Sequence, residues 1–229
     1  RNLAAGLEDM KKINPQASAL ISVGDNTQNG TQSEVEAFYQ VLKEHHPLEN
    51  GKTLIALGNH DVRGPSSWED WPEGEGSYWS TVYRLYMEHN AQYMPETNGK
   101  TYFDYWVDGY HLIVLNSENS AKDMAYLTDE QIVWLDEKLS EQEDPARPAI
   151  VIVHQALQET HWGSHWYNGF GPKDEAVKEV LQKHPQTIVI SGHIHNGFGV
   201  TEAIDRPYGT MIDVPAFVGS TRRLADAGT

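Results

Sequence analysis

Thr53-Leu54-Ile55-Ala56-Leu57-Gly58-Asn59-His60-Asp61 reads in two halves. The first five residues are apolar or β-branched, short enough for a buried strand. The last four place an amide, an imidazole and a carboxylate where that strand stops. The same design recurs along the chain. Ala17 to Val23 runs into Gly24-Asp25, Tyr110 to Leu115 into Asn116, Ala149 to Val153 into His154, and Thr187 to Ile190 into Gly192-His193-Ile194-His195. In an open α/β sheet, ligands bind outside the carboxyl ends of the strands, so residues far apart in sequence converge there. An Asp, an Asn and several His form a mixed oxygen and nitrogen set suited to Zn, Mn or Fe(II).

The segments between these strands set the class. Asn2 to Ile13 carries Leu3, Leu7, Met10 and Ile13 at helical spacing, and Asn14-Pro15 stops it. Helices are also predicted over Thr31 to Glu44, Thr81 to Asn90 and Lys173 to Lys183, and after Thr128, which forms a capping-box pattern with Gln131. Asp108-Gly109 between two strand-like runs is a two-residue hairpin signal. Tyr208 to Val214 is predicted as the last strand. Val62 to Ser80 and Gln155 to Pro172 read as long aromatic loops. Strands alternating with helices, interrupted by one hairpin, give an α/β architecture with mixed sheet in layers.

Composition narrows the chemistry. With 17 Lys plus Arg against 33 Asp plus Glu, the 229-residue chain carries −16, which disfavours nucleic acid and anionic lipid. A small anionic substrate stays open, because bound cations invert the local field. There is no Cys, so disulfides, thiolate metal sites and a Cys nucleophile are excluded. No apolar run reaches transmembrane length. The compartment is left open, since a Cys-free chain suits a cytosolic or a secreted protein.

Taken singly, each motif has an ordinary reading: a turn Asp, an Asn-rich turn, a structural His, a pair of surface His. Within the second motif, Asp61 is placed to hold and polarise His60. His193 and His195, at i and i+2, share one side if the backbone is extended. In order, Gly24-Asp25, Gly58-Asn59-His60-Asp61, His154 and Gly192-His193-x-His195 resemble the calcineurin-like metallophosphoesterase family, from about Ala17 to Val214. The resemblance implies a metallophosphoesterase-like layered sandwich of two mixed sheets flanked by helices, with a dinuclear site between strand ends. It implies that Asp25 bridges two divalent ions (Mn, Fe or Zn), that Asn59, His154 and His193 hold one, and that His195 serves the other. His60 would contact the phosphoryl group and assist the leaving oxygen, with Asp61 behind it.

Two departures accompany the match. The family's opening Asp-x-His motif occurs nowhere in the chain. The expectation is one catalytic domain over residues 1–229 that starts after its first strand, with a missing C-terminal end left open. Asn26, Thr27 and Gln28 stand where the purple acid phosphatase branch has a Tyr ligand, so a colourless protein is expected. The readings are then a phosphodiesterase on a small molecule, favoured by the aromatic loops, a phosphomonoesterase with the same site, or a binding protein without catalysis. Trp68, Trp71, Tyr78, Trp79, Trp162, Trp166 and Tyr167 are expected mainly to pack the loops onto the body, and His161 and His165 to be solvated.

Overall fold

The computed structural model describes residues 2–62, 78–119, 123–195 and 202–216. Five helices and eight strands follow in order: α1 (Asn2–Ile13), β1 (Ala19–Ser22), α2 (Gln32–Glu44), β2 (Lys52–Ile55), α3 (Tyr78–Asn90), β3 (Phe103–Val107), β4 (Tyr110–Val114), α4 (Asp129–Ser140), β5 (Ile150–Ile152), α5 (Asp174–Lys183), β6 (Ile188–Ser191), β7 (Glu202–Arg206) and β8 (Gly209–Asp213). Among these residues, β1 and β2 pair in parallel as one small sheet, and a six-stranded mixed sheet runs β3-β4-β5-β6-β8-β7.

The period-2 alternation of a strand explains the layering. On β2, Leu54 faces a core shared with Phe103, Leu112, Val114 and Ile152 of the larger sheet. Its neighbour Ile55 faces the other way, against Leu7 of α1, Val35, Phe38, Tyr39 and Leu42 of α2, and Leu85 of α3. In the larger sheet Ile113, Val151, Val189 and Met211 turn outward onto Ile132, Leu135 and Leu139 of α4 and Val177, Val180 and Leu181 of α5. The result is helix, sheet, sheet, helix, with β4 and β5 carrying buried residues on both faces. The parallel strands β4, β5 and β6 all end at one edge, beside the ends of β1 and β2.

Most elements lie where periodicity puts them. Asp108 and Gly109 both adopt positive φ, 51° and 80°, as a two-residue hairpin turn requires. Three differences stand out. Strand β7 was not predicted; with Glu202, Asp205 and Arg206 among five residues it lacks an apolar run, as befits an edge strand. Tyr78–Ser80 belong to α3 rather than to the preceding loop, whose residues 63–77, including Trp68 and Trp71, lie outside the described residues. Thr128 accepts from Gln131 N as an N-cap, but the Gln131 side chain is diverted to Asn116 O and Glu118, so the capping box is half formed.

Candidate metal centre

Gly24 and Gly58 bring the first two motifs together. Their backbones touch so closely that a Cβ on Gly24 would lie 2.5 Å from Gly58 N, and one on Gly58 would lie 2.2 Å from Asp25 N. Gly24 also has φ 102°, which favours a residue without Cβ. Asp61 fastens the approach. Its buried carboxylate accepts from Gly58 N (2.8 Å), Thr27 N and Oγ1 (both 2.8 Å), Asn26 N (3.2 Å) and Asn26 Nδ2 (3.3 Å). Burial and the Asp25 charge push the Asp61 carboxyl up, and these donors pull it back toward ionisation. Asp61 therefore clamps two loops. No hydrogen bond joins it to His60 among the described residues. His60 Nδ1 instead lies 2.9 Å from Gln28 O, which leaves Nε2 without a hydrogen bond there.

The candidate ligand residues converge on His154, which is buried just past the end of β5. Its Nδ1 donates to Val23 O (3.0 Å), which directs the Nε2 lone pair into the site. Around Nε2 lie Asn59 Oδ1 at 3.2 Å, His193 Nδ1 at 3.1 Å and Asp25 Oδ1 at 3.3 Å. Such spacing matches neighbouring ligand atoms in a shell with metal bonds of about 2.0–2.2 Å. The donor set of two imidazoles, a carboxylate and an amide oxygen fits a borderline divalent ion. The residues present therefore fit one cation.

Electrostatics agree with that fit at Asp25 and His193. Burial would raise Asp25, but the facing His154 and the His60 N–H (2.9 Å to Oδ1) hold its carboxyl well below the ordinary carboxylate range. Burial, with His154 alongside, holds His193 far below an ordinary imidazole, so it is neutral as a ligand must be. Burial alone would lower His154; the Asp25 charge and hydrogen bond more than reverse it.

His195 stands apart from the compact group, in which the ligand atoms of Asp25, His154 and His193 lie within 4.8 Å of one another. The extended geometry assumed for His193 and His195 is not present. Both have positive φ, 71° and 54°, and Ile194 N turns back to Gly192 O. The loop is a strained turn anchored by Gly192 N on His154 O (3.0 Å), and this anchor sets His193 against His154.

Asn116 coordinates nothing in this arrangement. Fully buried, it accepts from Leu57 N (2.7 Å) and donates to Thr101 O (2.6 Å) and the Tyr86 hydroxyl (2.9 Å), tying the end of β2 to the hairpin. One contributor was missed from sequence, and another was expected only to pack its loop. Asp123 accepts from Asn59 Nδ2 (3.2 Å), which orients the amide so that its oxygen faces His154. Tyr167 lays its ring edge on His193, centroids 4.7 Å apart. Nothing local marks Asp123, whereas Tyr167 stands in the aromatic loop already noted in the sequence. The aromatic loop also differs from expectation: Trp162 and Trp166 are 54% and 47% exposed, packed edge-on against each other, while His161 is buried beside Thr160.

A second acid and His group, Asp104, His111 and Glu141, lies where the β3–β4 hairpin meets α4. There the Lys138 ammonium already stands 3.4 Å from Asp104 and 3.0 Å from Glu141, so this is an ion network with its own cation.

The family model described as calcineurin-like phosphoesterase matches residues 2–197. The chain belongs to that family. A curated relative, the serine/threonine-protein phosphatase CPPED1 of Mus musculus, is 26% identical over 85% of this chain and 59% of its own length. The chain thus spans somewhat over half of that relative. Two solved structures share the phosphoesterase fold. A dimetal phosphatase from Danio rerio has TM-score 0.66 at 12% identity, covering 94% of this chain and 77% of that one. The purple acid phosphatase PPD1 from yellow lupin, Lupinus luteus, has TM-score 0.55 at 15% identity, covering 85% of this chain and 33% of that one. Among the described residues no helix is long and apolar enough to cross a membrane.

Proposed function

We propose that the protein is a metal-dependent phosphoester hydrolase whose centre is held by Asp25, Asn59, His154 and His193, with His195 serving a second divalent ion. The observation that carries this reading is the crowding of Asn59 Oδ1, Asp25 Oδ1 and His193 Nδ1 around His154 Nε2. When bound, such cations supply Lewis acidity, charge neutralisation and an acidified water. The chain's own residues do the rest. Asp25 and the neutral imidazoles set the charge of the cradle. His60, fixed through Nδ1 by Gln28 O, keeps Nε2 available to give a proton to the leaving oxygen. Asp61 holds Asp25 and Asn59 in register by clamping their loops.

The preferred substrate class remains a small phosphodiester. The exposed Trp162 and Trp166 next to Tyr167 favour it, since they offer flat surface for a second ester group. A monoesterase reading is favoured by the names of the relatives, each a phosphatase. Turnover of bis-p-nitrophenyl phosphate and p-nitrophenyl phosphate by the full-length protein with Mn(II), Zn(II) or Fe(II) separates the two. A diester rate exceeding the monoester rate is expected. The reverse order would support the second reading, and inactivity on both with metal bound would refute hydrolysis.

A further inference from the structure

We propose that Tyr167 is a phosphoryl-binding residue, its hydroxyl donating a hydrogen bond to a non-bridging phosphoryl oxygen; the proposal rests on the phosphoester-hydrolase reading. The candidate centre is rich in acceptors and poor in donors. Asp25 and the Asn59 oxygen present lone pairs, and one N–H of the Asn59 amide is spent on Asp123. A phosphate dianion entering beside them, in a chain of net charge −16, needs donors to offset repulsion. His60 supplies one. Tyr167 is placed to supply another.

Its ring packs against His193 at 65° with centroids 4.7 Å apart, which puts the aromatic ring beside the candidate centre. The residue is half-buried, and its hydroxyl engages no protein group among the described residues. The other phenols nearby are committed: Tyr86, for example, donates to Ile55 O (2.8 Å).

The segment that carries Tyr167 is rigidly pinned rather than loose. Ser164–Tyr167 form one 3-10 turn closed by left-handed residues at both ends, Gly163 at φ 87° and Asn168 at φ 60°. Gln158 Nε2 donates to Asn168 O (2.9 Å), and Ala125 N to Gly169 O (2.9 Å). Buried Asp174 accepts from both Gln158 N and Phe170 N at 3.1 Å. An ordered loop that holds a tyrosine ring against His193, its hydroxyl unengaged among the described residues, is what a preorganised donor requires.

The test compares Tyr167→Phe and Tyr167→Ala in the full-length, metal-loaded protein. Orthophosphate binding is measured by calorimetry, with metal content and thermal midpoint determined on the same samples. Tyr167→Phe keeps the ring on His193, so metal content and midpoint should be unchanged. Phosphate affinity should fall roughly ten- to a hundred-fold, the loss expected for one hydrogen bond to a charged group. Tyr167→Ala should lose phosphate affinity and metal affinity together. If Tyr167→Phe binds phosphate as tightly as the natural protein, the hydroxyl has no such role and the proposal is overturned. If the natural protein holds metal but neither binds phosphate nor cleaves any ester, the hydrolase reading falls and takes this one with it.

Discussion

Asn59 shows how much one side-chain contact decides. An amide offers a carbonyl oxygen and an NH2 group of similar size, and only the oxygen ligates a metal. Asp123 fixes the choice by accepting the NH2 at 3.2 Å. Asp123→Ala should therefore weaken metal affinity about 10–100-fold, the usual cost of losing the partner that orients a ligand, with little change in thermal stability of the metal-free protein. A metal titration against the natural protein checks this; equal affinities would leave Asn59 oriented by something else. Asn116 makes a different case. Asn116→Ala strands the Leu57 N–H in a fully buried position and takes one donor from the Thr101 carbonyl, while the Tyr86 hydroxyl keeps Ile55 O. The expected destabilisation is about 1–3 kcal/mol for each group left unpaired, before relaxation, read by urea unfolding. Both residues lie near the centre, yet one should change metal binding and the other stability.

At the scale of elements, the hairpin and α4 are joined by charge. His111 is fully buried, stacks on Trp106 at 4.3 Å and lies 2.7 Å from Asp104. Burial would raise Asp104, but its hydrogen bond to His111 and the Lys138 charge hold it below the ordinary aspartate value of 3.8. A depressed carboxylate stabilises the fold above the unfolded-state pKa and ceases to do so as pH falls through its lower folded-state pKa. The stability difference between the natural protein and Asp104→Asn should therefore be largest near neutrality and shrink steadily below about pH 4. Thermal midpoints of both proteins across pH 3–7 would show it, and a difference independent of pH would deny the ion network any part. Helix and strand positions themselves were legible, because each buried face repeats at the period of its element. Strand β7 was not, since an edge strand needs few apolar residues. The clamp at Asp61 was not either: its partners at Asn26 and Thr27 sit 35 and 34 positions away and carry no periodic signal.

In the molecule as a whole, the candidate centre joins the two sheets. Asp25 and Asn59 follow strands of the small sheet, while His154 and His193 follow strands of the large one. A cation bound there crosslinks them across the shared core. Added Mn(II) or Zn(II) should then raise the thermal midpoint, with about 2.7 kcal/mol of stabilisation at a hundredfold excess over the dissociation constant. His154→Ala should abolish the rise. A midpoint indifferent to metal would mean that no ion binds with useful affinity.

The sequence by itself determined the α/β layering, the strand ends at which ligand residues gather and the family to which they point. These are local matters: an apolar run, a glycine where two backbones must touch, a polar residue directly after. Tertiary structure alone decided which of those residues meet. It brought the ligand atoms of Asp25, His154 and His193 within 4.8 Å of one another, left His195 out of that group through a left-handed turn, turned Asp61 from His60 toward Gly58 and Thr27, and supplied Asp123 and Tyr167 from loops. Contacts of that kind arise between segments distant in the chain, and their geometry depends on packing that no single segment encodes.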